Sequence, residues 1–221
     1  MRGAYVAGQR LAQSGTAAPA NAFNHKAVRD RPRLPISAII RCRDAQFTLG
    51  AAVESIVHHV SEVWIIDNDS SDQSREIAGA LRSRYPDVVR LDQYHATLAE
   101  IGSGYGAATR ARPGDSIARF YNYCFGLGTQ PYLLKWDADM VALPNLYPQL
   151  ARVVSRAYDT FRFDGLDPTG VYSSCYHELM FRRDLEWKFV DRELYEALEI
   201  ANSRRTYTAW APLYLHLKQF V

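Results

Sequence analysis

Two periods of apolar residues alternate along this chain. Ile36–Ile40 is a short apolar run of strand length, and Val53, Ile56, Val57 and Val60 then recur at i, i+3, i+4 and i+7, one buried face of a helix. Val63–Ile66 reads as a second strand. Ser71 to about Arg84 reads as a second helix, with Ile77, Ala80 and Leu81 inward and Pro86 closing it. Val88–Leu91 gives a third strand. Asp115 is placed to cap a helix running to Gly126 or Gly128, with Ile117, Phe120, Tyr121 and Cys124 on its inner side. A strand over 132–136 follows, and Pro144 opens another helix at its first turn, where a missing N–H costs nothing. Beyond residue 160, Val171–Cys175 and Leu179–Arg182 read as paired strands and Asp191–Ile200 as a helix. Strands alternating with helices predict an α/β domain with a mainly parallel sheet covered by helices on both faces.

Composition narrows the class. A chain of 221 residues with 48% hydrophobic and 23% charged residues can bury one substantial core. A net charge of +2 argues against a dedicated nucleic-acid binder. Residues 1–35 lack an apolar signal core and read as a flexible extension, ending at Arg31-Pro32-Arg33-Leu34-Pro35. Residues 36–221 read as a single domain. No apolar run is long enough to cross a bilayer, and the three cysteines, Cys42, Cys124 and Cys175, lack metal-like spacing. The expectation is a cytoplasmic protein with free thiols and at most peripheral contact at the inner face of the membrane.

The chemistry concentrates at strand ends. Tyr132-Leu133-Leu134 runs into Lys135-Trp136-Asp137-Ala138-Asp139-Met140, and in an extended segment residues i and i+2 face the same way, so Asp137 and Asp139 can present oxygens to one point. Open α/β sheets bind ligands at the carboxyl ends of their strands. Mg²⁺ and Mn²⁺ are characteristically held there by carboxylates and substrate phosphates. The same spacing recurs at Asp67 and Asp69, so the pair alone specifies nothing. Val63–Ile66 likewise ends in Asp67-Asn68-Asp69-Ser70-Ser71-Asp72, whose short polar side chains suit either a capped strand–helix junction or the reading of a base or ribose.

Taken together these segments resemble the family 2 glycosyltransferases of GT-A fold. Ile36-Ser37-Ala38-Ile39-Ile40-Arg41-Cys42-Arg43-Asp44 looks like that family's first strand and nucleotide loop, and Leu49 to Val60 like its first helix. Asp67-Asn68-Asp69-Ser70-Ser71-Asp72 is similar to its acidic signature. Arg119-Phe120-Tyr121-Asn122-Tyr123 resembles the helix that precedes its metal motif, and Asp137-Ala138-Asp139 matches its DXD motif. The order agrees over residues 36–145, which would form the nucleotide-sugar half; 146–221 would form the acceptor side. Two departures stand out: Arg41-Cys42-Arg43-Asp44 replaces Pro-x-Tyr-Asn, and Asp69 replaces a glycine.

The resemblance implies transfer of a sugar from a nucleoside-diphosphate sugar, UDP-sugar favoured, to a hydroxyl of a glycan or lipid-linked acceptor. It favours inversion, in surface polysaccharide or glycoconjugate synthesis. Mn²⁺ or Mg²⁺ would be held by Asp139, by Asp137 directly or through water, and by His216, which resembles a late metal ligand of the family. Arg41, Arg43, Asp67, Asp69, Arg119 and Asp137 would bind the nucleotide. An inverting transfer needs a base near the acceptor hydroxyl; by resemblance Asp191 fits, with Glu178 and Glu193 as rivals.

Other readings carry less. A sugar-phosphate nucleotidyltransferase should open with a glycine-rich loop, where this chain has Arg41-Cys42-Arg43-Asp44-Ala45-Gln46. Gly102-Ser103-Gly104-Tyr105-Gly106-Ala107 has dinucleotide-loop spacing but follows a poor strand and is expected to open no helix, so it reads as a lid or acceptor loop. A non-catalytic nucleotide-sugar-binding module would not require the intact acid pair.

Overall fold

The computed structural model describes residues 31–167, 172–173 and 179–217, with the side chains of 172–173 left out. In chain order it contains β1 (Leu34–Cys42), α1 (Leu49–Ile56), β2 (Val60–Asp67), α2 (Ser74–Arg84), β3 (Val89–Gln93), α3 (Tyr105–Ala111), a 3₁₀ turn (Pro113–Asp115) and α4 (Ile117–Gly126). Then follow β4 (Tyr132–Lys135), β5 (Met140–Ala142), α5 (Leu146–Ser155), β6 (Thr160–Arg162), β7 (Gly165–Leu166), β8 (Tyr172–Ser173), β9 (Met180–Arg182), β10 (Glu186–Asp191), β11 (Glu196–Ala201), β12 (Thr206–Thr208) and β13 (Tyr214–His216).

The central sheet has seven strands in the order β12-β6-β9-β4-β1-β2-β3. β4, β1, β2 and β3 run parallel, β9 runs against β4 and β6, and β12 follows β6. The apolar alternation of β1 explains the layers. Ile36, Ala38 and Ile40 face a core built with Leu49, Val53, Ile56, Leu81, Leu146 and Leu150 of α1, α2 and α5. Ile39 faces the other core, with Leu133, Phe181, and Phe120, Cys124 and Phe125 of α4. A small sheet, β5-β13-β7-β8, continues from the main sheet's carboxyl edge.

Several elements differ from the sequence expectation. Helix α1 stops at Ile56 and Val60 begins β2, where its buried side chain serves a strand. Ser116, not Asp115, caps α4, accepting the Arg119 amide through Oγ at 2.9 Å. Helix α5 starts at Leu146, after Pro144 and Asn145. Residues 191–200 form no helix: β10 and β11 pair antiparallel, with Phe189 opposite Leu198 and Trp187 opposite Ile200. Their apolar side chains pack on α4, and that burial overrides the helix propensity of the Glu-, Leu- and Ala-rich sequence. β9 pairs with β4 and β6, while β8 pairs with β7, so the two expected strands are not partners. The glycine loop does open a helix, α3, with Gly104 left-handed at its N-cap. No hydrophobic strand leads into it, since β3 ends at Gln93, so the dinucleotide-loop geometry is still not met. Among the described residues no helix is long and apolar enough to cross a membrane.

Candidate active site

The acid pair sits where β4 leaves the sheet. The strand ends at Lys135, Trp136 is buried, and the Met140 amide donates to the Asp137 carbonyl at 3.0 Å, closing a tight turn. The carboxylates therefore converge through a turn rather than through an extended segment. The chain returns as β5 and pairs antiparallel with β13, setting His216 opposite Met140, while the Leu217 amide donates to the Asp139 carbonyl at 2.8 Å. Nε2 of His216 comes to 3.2 Å from Oδ1 of Asp139. One ligand atom each from Asp137, Asp139 and His216 lies within 4.8 Å of the others. Two carboxylates and an imidazole aimed at one point form a donor set suited to Mn²⁺ or Mg²⁺.

The cleft above this cluster is about 490 Å³. The ends of β1 and β4 and the first turn of α4 line it, contributing Arg41, Arg43, Asp44, Ile117, Tyr121, Asp137 and Asp139. Arg41 points toward α4 and pairs with Asp137. Its guanidinium carbon lies 3.9 Å from the Tyr121 ring centroid. Burial opposes its charge, yet neighbouring Tyr121 and Asp137 hold its pKa above the ordinary arginine value. Arg43 is half exposed at the rim.

The acidic segment after β2 is largely spent on structure. Ser70 Oγ accepts the Asp44 amide, Ser74 Oγ the Ala45 amide and Asp72 the Gln46 amide, at 2.8–3.0 Å, which ties the loops after β1 and β2 together. Asp67 is buried and accepts from the Ser70 amide at 3.2 Å and Arg75 Nε at 2.7 Å. Burial alone would raise its pKa, but these donors hold it below the usual carboxylate range. It lines a separate hollow with Arg75, Leu91 and Asp92, whereas Asn68 lines the cleft. Asp69 has φ of +54°, the left-handed region that glycine favours and aspartate tolerates. Asp69 thus takes a glycine-like backbone while carrying a carboxylate, which contacts His95 Nδ1 at 2.7 Å.

The remaining candidates are placed elsewhere. Arg119 is exposed on α4 and is not among the residues lining the cleft. Asp191 accepts from the Tyr105 hydroxyl, from Ser116 Oγ at 2.6 Å and from the Ala118 amide at 3.3 Å, pinning β10 to the start of α4. Glu193 is exposed and pairs with Arg110 at 2.7 Å. Both border a hollow beside α3, and neither lines the cleft. Glu178 lies outside the described residues. Sequence reasoning missed Asn68, Asp44 and Thr48 as cleft residues; for Asn68 and Asp44 a position just past a strand end was the available signal, and for Thr48 its place at the N-cap of α1.

The sheet order, its carboxyl-edge cleft and its helices on both faces define a GT-A-like α/β fold. No family model matches the chain, and no curated protein matches it. Among solved structures it is similar to S. aureus TarS 1–349, at 13% identity and TM-score 0.56, covering 83% of this chain and 60% of that one. The same fragment in complex with UDP-GlcNAc aligns at 12% identity and TM-score 0.56, covering 83% and 58%. TarS itself aligns at 12% identity and TM-score 0.55, covering 83% and 37%. At these identities the likeness shows the fold, and the chain spans only about three-fifths of the TarS fragment's length.

Proposed function

We propose that this protein is a metal-dependent glycosyltransferase that moves a sugar from a nucleoside-diphosphate sugar to a hydroxyl of a glycan or lipid-linked acceptor, with inversion. The observation that carries this reading is the convergence of Asp137, Asp139 and His216, two of which line the cleft. A UDP-sugar donor is favoured because a structure of similar fold is a complex with UDP-GlcNAc.

Asp139 and His216 would hold the divalent ion directly, with Asp137 beside them. When bound, such an ion supplies Lewis-acid neutralisation of the charge that grows on the diphosphate leaving group. Asp44, Thr48 and Asn68 would receive the nucleoside along the cleft wall, with Arg43 at the rim offering a charge-assisted bond to a phosphate. Asp67 and Asp69 would act on the nucleotide through the loop they shape. For the base that takes the acceptor proton, the contacts of Asp191 and Glu193 favour positioning roles, and Glu178 is the remaining carboxylate to test.

Calorimetric titration of UDP, GDP, dTDP and CMP, each with and without Mn²⁺, tests the reading. Mn²⁺-dependent binding of UDP is the expected result. No binding of any nucleotide under either condition would refute a transferase of this type.

A further inference from the structure

The site contains a charge that its layer does not call for. Arg41 is the next-to-last residue of β1, on the same side of the strand as Ile39, so its side chain enters the apolar layer beneath α4. Only 6% of it is exposed. One terminal nitrogen, Nη2, pairs with Oδ1 of Asp137, and the Tyr121 ring covers the guanidinium face. Its other donors, Nε and Nη1, are buried and meet no acceptor among the described residues. A desolvated guanidinium with unmet donors is costly, and an apolar residue there would serve stability as well or better. Its ion-pair partner among the described residues is a member of the metal cluster.

We propose that Arg41 is a positioning residue for the acid pair, which orients the Asp137 carboxylate and biases the site against a bare cation and toward one that arrives with the donor diphosphate. This rests on the transferase reading of the site. The Arg41 contact fixes the orientation of the Asp137 carboxylate, so the direction in which it faces a cation is set before one arrives. The fixed positive charge beside the cluster also opposes a bare divalent cation. A cation that arrives with a diphosphate brings negative charge, which the same guanidinium attracts. Arg41 thereby moves the two affinities in opposite directions, weakening the bare cation and strengthening the diphosphate.

The experiment is calorimetric titration of Mn²⁺ alone, and of UDP at saturating Mn²⁺, into wild type, Arg41→Gln, Arg41→Lys and Tyr121→Leu, with melting curves confirming folding. In Arg41→Gln the expected result is Mn²⁺ alone binding about tenfold more tightly and UDP about tenfold more weakly. Arg41→Lys keeps the charge and should fall between wild type and Arg41→Gln. Tyr121→Leu, which loosens the guanidinium without removing it, should shift both affinities in the same directions by less. Equal weakening of both ligands in Arg41→Gln would mean a merely structural role, and unchanged affinities would mean no role; either overturns the proposal. If wild type binds neither Mn²⁺ nor UDP, the transferase reading fails and this inference with it. Wild-type binding with an unaltered variant defeats this inference alone.

Discussion

Nε2 of His216 stands 3.2 Å from Oδ1 of Asp139, although the two residues come from opposite ends of the candidate site in sequence. The β5–β13 pairing brings them together, because the strand that leaves the acid turn is the one His216 zips against. Removing the Asp139 carboxylate should therefore remove the cation site without harming the core. For Asp139→Ala we expect loss of Mn²⁺-dependent UDP binding by calorimetry, with an unchanged or slightly raised melting temperature in metal-free buffer. Unaltered nucleotide affinity would contradict the metal assignment.

His216 should matter less than Asp139 but in the same direction. Its side chain is only 10% exposed, so His216→Asn keeps polarity and bulk while losing the aimed nitrogen. We expect Mn²⁺ affinity measured with UDP present to fall about tenfold or more, with circular dichroism unchanged. A fall in melting temperature with full cation affinity would make His216 a packing residue.

Gly165 offers a route to the site through the core. A Cβ there would run into the Tyr214 ring, and Gly165 pairs with Tyr214 two residues before His216. Gly165→Ala should destabilise by about 1–3 kcal/mol, as overpacking does. It should also weaken Mn²⁺–UDP binding by displacing β13. Denaturant unfolding and calorimetry on the same preparation check both halves.

Asp191 gives a contrasting pattern. It joins Tyr105, Ser116 and the Ala118 amide, and because it is partly exposed each bond contributes modestly. Asp191→Ala should cost about 1–2 kcal/mol in denaturant unfolding, with Mn²⁺–UDP affinity little changed. Full stability together with abolished sugar transfer would instead restore it as the acceptor base.

His59 sets an acid limit. Burial first, then the charges of Arg31 and His58, push its pKa down to about 4 from the ordinary 6.5. A histidine kept neutral in the fold contributes stability that is fully present above 6.5 and lost as the pH falls toward 4. About 2 kcal/mol should disappear between pH 7 and pH 5. Urea unfolding at those two values should show this loss in wild type and a smaller one in His59→Gln.

The apolar periods fixed most of what could be read without coordinates. Runs such as Ile36–Ile40 and Val63–Ile66, and the α4 positions Ile117, Phe120 and Cys124, bury themselves wherever the chain goes, so strand and helix follow from local spacing. The acids after β2 and β4 were legible as strand-end residues for the same reason. What the tertiary structure decided depends on partners distant in sequence. Residues 191–200 have a helical composition, yet pairing with 186–191 and the α4 surface make them a strand edge. Asp191 therefore props α4 instead of opening a helix. Asp69 takes a left-handed backbone at the loop beside Arg75, which the aspartate by itself does not reveal. Arg41 looks like the end of a strand in sequence; only the fold shows it buried under Tyr121 with its charge on Asp137. Burial preferences are properties of single residues and their near neighbours, whereas ligand geometry is set by side chains that meet only after the sheet has formed.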